Sequence, residues 1–108
     1  MEGVWTFEIP AGNGGGIVVI NNGKILGGDI GYFLSGTYAS LNNAIDATLD
    51  ASLFNPAGIS TSVWGDKSPQ FQVKFSGIRS GNTIVGQIQR IGVPIPLDVK
   101  LTRRADVP

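Results

Sequence analysis

The sequence predicts an all-β fold, a small up-and-down β-barrel of about eight or nine short antiparallel strands. Three observations carry this. Apolar and polar residues alternate with period two along most of the chain, as they do in strands with one buried face. Sixteen glycines among 108 residues, about twice the usual share, fall between the apolar runs like hairpin loops. No window of about a dozen residues repeats its apolar positions at three and four, so helices are not expected.

Taken in order, the alternation places strands at about 3–9, 15–21, 24–28, 31–39, 43–54, 59–64, 69–78, 82–91 and 95–103. In the first, Trp5, Phe7 and Ile9 oppose Val4, Thr6 and Glu8. The densest apolar run, Ile17-Val18-Val19-Ile20, leads to Asn22-Gly23, a pair suited to a turn with positive φ at both central residues. The clearest pattern is Asn43 to Phe54. There Ile45, Ala47, Leu49, Ala51 and Leu53 face one way, and Ala44, Asp46, Thr48, Asp50 and Ser52 the other. Phe71, Val73 and Phe75 repeat this arrangement, as do Ile84, Gly86 and Ile88, and then Ile95, Leu97, Val99 and Leu101. A chain of this length forms one domain, residues 1–108, and buries roughly two-thirds of its unfolded surface, enough for a core without staples.

Composition narrows the chemistry. Cysteine and histidine are both absent, which excludes disulfides, Ser-His and Cys-His nucleophile pairs, and histidine metal sites. Eight acidic and eight basic residues cancel, so no overall field draws the chain to nucleic acid or an anionic membrane, and neither partner is expected. Met1 to Pro10, with an acid at position 2 and no long apolar run, reads as neither a signal peptide nor a span. The expected location is cytoplasmic. Asp46 and Asp50 share the outer face of one strand about 13 Å apart, too far for a glycosidase pair, and are read as a solvated face with Lys74 or Lys100 as cross-strand partners. No catalytic constellation, metal site or cofactor site emerges, and the protein is not expected to be an enzyme.

Two glycine clusters invite a phosphate or metal reading. Gly12 to Gly16 lacks the following Lys-Ser/Thr of a P-loop and runs into β-branched residues where that motif needs a helix. Gly27-Gly28-Asp29 shares three letters with the signature of cyclic-dinucleotide synthases, but continues as Ile30-Gly31 where those enzymes have an acid and a phenylalanine. The physical reading is a structural turn motif: Gly27 and Gly28 supply backbone angles closed to other residues, and the Asp29 carboxylate accepts from a nearby backbone N–H. A hard cation wants several oxygens, and no other acid lies near Asp29 in sequence.

Gly3-Val4-Trp5-Thr6-Phe7, the glycine-rich loop into Gly16-Ile17-Val18-Val19-Ile20, Asn22-Gly23-Lys24-Ile25, Gly27-Gly28-Asp29, Tyr32 and Gly36-Thr37-Tyr38 together resemble the GrlR family. That family comprises small bacterial negative regulators of type III secretion genes. The resemblance is ordered over about forty residues; beyond Tyr38 only the strand spacing agrees. It implies a lipocalin-like barrel, a cytosolic homodimer, and repression by capture of a protein activator without DNA contact. The family's acidic contact loop is not carried over, because the corresponding loop here reads Ser40-Leu41-Asn42-Asn43.

Two functions follow as expectations. The first is a non-enzymatic binding protein, regulatory in the manner of the resembled family, that captures a protein partner on a face or loop. The alternative is a carrier of a small apolar ligand inside the barrel, since eight strands enclose an interior that side chains just fill or that holds one small molecule. Candidate ligand-binding residues are Trp5, Phe7, Tyr32, Leu34, Tyr38, Phe71 and Phe75, with the tyrosine hydroxyls as polar anchors. Interspersed Ala47, Ala51, Gly36, Gly77 and Gly86 match the large and small alternation of a filled barrel, so a filled or partly filled interior is favoured.

Overall fold

A computed structural model describes residues 1–59 and 61–108. Eight strands form one closed, antiparallel up-and-down barrel: β1 (Gly3–Ile9), β2 (Gly14–Asn21), β3 (Lys24–Gly28), β4 (Tyr32–Leu41), β5 (Ala44–Leu53), β6 (Gln70–Ser80), β7 (Thr83–Arg90) and β8 (Leu97–Ala105). Each strand pairs with its neighbour in sequence, and β8 closes onto β1 through Trp5 opposite Arg103 and Phe7 opposite Leu101. Closure leaves no free sheet edge. The only helical turns among the described residues are Pro10–Gly12 and Pro56–Gly58, so no helix there is long and apolar enough to cross a membrane.

Local chemistry sets the strand ends. Pro10, which has no N–H to give a ladder, ends β1, and Asn13 in the left-handed region (φ 50°) turns the chain into β2. Asn22 and Gly23 have φ of 51° and 75°, the pair of positive values the β2–β3 hairpin needs. With these turns the alternating pattern fixes the register. Trp5, Ile9, Val18, Ile20, Ile25, Tyr32, Ile45, Ala47, Ala51, Val73, Phe75, Ile84, Ile88 and Val99 are buried inside.

Three expectations need correction. Residues 59–64 do not form a strand: Ser60 lies outside the described residues, and the rest belong to the long β5–β6 connection. There the Ser62 N–H donates to the Asp66 carbonyl (2.6 Å) and the Gly65 N–H to the Ser62 carbonyl (2.9 Å), a turn that excludes ladder pairing. Ile95 precedes β8 and is 67% exposed, so the inward series begins at Leu97. On the outer face Lys74 stands opposite Thr48, and Lys100 opposite Val85 and Glu8, so neither faces Asp46 or Asp50 across the sheet. Those carboxylates accept instead from Ser76 Oγ (2.7 Å) and Gln72 Nε2 (3.0 Å).

The barrel has two unlike ends. The N-terminus and the short hairpin turns at 22–23, 42–43 and 81–82 gather at one. There Trp5 is fully buried, its Nε1–H donates to the Met1 carbonyl (3.0 Å), and the Arg79 guanidinium lies 5.6 Å from its ring centroid. The opposite end carries the turns after β1 and β3, the β7–β8 loop and the β5–β6 connection.

Candidate functional site

A cavity of about 110 Å³ lies inside the barrel. It extends from Val63 and Trp64, on the underside of the β5–β6 connection, to Ile20, Ile45 and Ile84 toward the end closed by the buried Trp5. Its wall is almost wholly apolar, because every strand contributes alternate aliphatic or aromatic side chains. Small residues keep the space open. Ala47 and Ala51 on β5 face inward between large neighbours: Ala51 stands opposite Leu34 and Phe71, and Ala47 opposite Tyr38 and Phe75.

Of the residues singled out from sequence, Phe7, Tyr32, Leu34, Phe71 and Phe75 line this cavity. Trp5 and Tyr38 do not; they pack in the core toward the closed end. Tyr32 and Phe71 meet edge to face at 5.1 Å, and the Arg90 guanidinium sits 4.2 Å from the Phe71 ring centroid. The Tyr32 hydroxyl donates outward to the Ser68 carbonyl (2.8 Å). Burial raises the Tyr32 pKa above its ordinary value, and the Asp66 charge adds to the rise.

The β5–β6 connection covers the cavity mouth, and sequence reasoning missed it. Its Val63 rests on the turn after β1, where a Cβ on Gly12 would stand 2.7 Å from the Val63 Cβ. Ile59 rests on Gly31 in the same way. The glycines that look like a phosphate loop in the sequence thus leave bare backbone on which this cover packs. A polar cluster latches it: the Asp66 carboxylate accepts from Arg90 Nη1 (2.8 Å), Ser68 Oγ (2.7 Å) and Ser62 Oγ (2.9 Å), while Arg90 Nη2 donates to Ser68 Oγ (2.9 Å). The Arg90 bond above all, then that from Ser68, holds the Asp66 carboxyl well below the usual carboxylate range. A bulky Trp64 isolated among Gly65, Asp66, Lys67, Ser68 and Pro69 is the sequence signal that could have revealed a docked loop.

The Gly27-Gly28-Asp29 segment straddles a boundary. Gly27 and Gly28 are the last residues of β3, and the turn itself begins at Asp29. Asp29 Oδ1 accepts from the N–H groups of Gly31 (2.8 Å) and Tyr32 (2.7 Å), and the Asp29 N–H donates to the Tyr32 carbonyl (3.0 Å). Gly28 has φ of 149°, and a Cβ there would run into the Tyr32 carbonyl oxygen.

A second, shallower depression lies outside β4–β6 among Thr37, Asp46, Thr48, Lys74 and Ser76, open to solvent and polar. No known family's sequence profile matches the chain, and no curated protein matches it.

Proposed function

We propose that this protein is a non-enzymatic binding protein that holds one small apolar molecule inside the barrel. The observation that carries the reading is the covered, apolar cavity of about 110 Å³. A comparable dry cavity of about 150 Å³ admits benzene, whereas pockets for drug-sized ligands start near ~300 Å³. The guest is therefore small, on the order of six or seven non-hydrogen atoms by that comparison. Apolar burial drives binding, at about 25 cal/mol per Å² removed from water. Entry runs past the β5–β6 connection, because the side wall is a closed ladder of strands.

Solution NMR titration with 2-methyl-1-hexene tests this. Saturable shifts concentrated at Leu34, Ala47, Ala51 and Val73 support the reading. Their absence at millimolar guest, for this alkene and for the ketone of the same shape, rejects it.

Protein capture, which the sequence puts first, is favoured by a different observation. Ile17, Leu26 and Phe33 are 53%, 49% and 47% exposed on the outer face of β2–β4, while charge gathers on β5–β8. Val19 stands opposite Leu26 and extends the stripe. We place on this face, whose one charged strand residue is Lys24, the contact of the homodimer implied by the family resemblance: two copies of a largely neutral patch meet with little charge repulsion.

A further inference from the structure

The polar groups at the cavity wall are almost all spent. Asp29 Oδ1 takes two backbone N–H groups, the Tyr32 hydroxyl donates to Ser68, and Ser62 Oγ donates to Asp66 while accepting from the Trp64 backbone N–H (3.2 Å). One buried donor is left over. Trp64 Nε1 is, among the described residues, the buried side-chain polar atom with no hydrogen-bond partner. An indole N–H is a donor only, and burying it unpaired costs about 1–3 kcal/mol.

Three occupants could satisfy it. A water would accept this one bond and turn its own protons toward apolar wall, whereas buried waters typically make about three bonds. A carboxylate would need several donors, yet the nearby cation, Arg90, is already engaged by Asp66. A neutral carbonyl oxygen on an apolar body matches a single donor in an apolar space.

We infer that the ligand is a small, neutral, apolar carbonyl compound, of the ketone, ester or lactone class, whose oxygen accepts the Trp64 Nε1–H under the cover. This rests on the cavity reading above and adds the chemical class of the guest. Trp64 then has two roles: its ring closes the mouth against Phe71 (5.6 Å, 79° between planes), and its N–H selects the guest.

The test compares 2-hexanone with 2-methyl-1-hexene, which has the same shape with C=CH2 in place of C=O, on the full chain and on Trp64→Phe. In the wild type, 2-hexanone should move the Trp64 indole N–H resonance downfield and leave that of the sealed Trp5 in place. Trp64→Phe should lower the affinity ratio of ketone to alkene by about three- to tenfold, the range for one net hydrogen bond. If both guests bind and Trp64→Phe leaves that ratio unchanged, the carbonyl assignment is overturned while the cavity reading stands. If neither guest binds the wild type, both fall. Should Trp64→Phe fail to fold, the wild-type indole resonance decides alone: a signal that ignores bound ketone, as for an N–H resting on the Phe71 face, overturns the assignment.

Discussion

Replacing Ala47 with phenylalanine probes the interior directly. Ala47 is 6% exposed on β5, faces Phe75 across the strand pair and lines the cavity. A benzene ring needs on the order of 100–150 Å³, and about 110 Å³ is free. The new ring therefore takes nearly all of the space and slightly more. Overpacking costs about 1–3 kcal/mol in a filled core, and here most of the ring enters existing space, so the low end, about 1 kcal/mol, is expected. For a domain near this size that lowers Tm by about 4–8 °C. Thermal melts followed by circular dichroism give the shift, and NMR titration with 2-hexanone gives guest uptake, which should be lost. Unchanged uptake would refute the placement of the cavity. A Tm drop of about 15 °C or more would mean more than ~2 kcal/mol of strain and an interior already filled.

Gly28→Val should destabilise by more than about 1 kcal/mol in urea titrations, because it sets a Cβ against the Tyr32 carbonyl. Asp29→Asn, which keeps an acceptor oxygen for Gly31 and Tyr32, should cost less; the reverse order would contradict the turn geometry. Asp66→Ala should lower Tm at neutral pH. Because the folded carboxyl titrates below its unfolded value, the latch contributes fully above about pH 4 and is lost as pH falls through the depressed folded value. The gap between wild type and variant should thus narrow on acidification, and a widening gap would refute the latch. Light scattering should return a dimer mass at micromolar concentration for the wild type and a monomer for Leu26→Lys; a wild-type monomer rejects the homodimer.

Strand existence and facing were legible because side-chain direction in a strand depends only on position parity. Thus Ile45, Ala47 and Ala51 could be assigned to the core from local pattern, and Asn22-Gly23 to its hairpin from backbone sterics. Many one-faced strands must close as a barrel or a sandwich, and the short connections pointed to the barrel. Three-dimensional packing decided the rest. Whether Trp5 and Tyr38 reach the same space as Phe71 depends on how far along the barrel each one sits, and strand stagger is set by pairing between chain segments, which alternation does not encode. The cover was hidden for a similar reason. Ile59, Thr61 and Val63 alternate like a strand, yet Ile59 and Val63 pack on bare glycines at 31 and 12, and the connection is held by a carboxylate–guanidinium pair, Asp66 and Arg90, 24 positions apart. Contacts at such separation are fixed by where the closed barrel brings its loops, so the cavity mouth and its unpaired indole exist only once the sheet has closed.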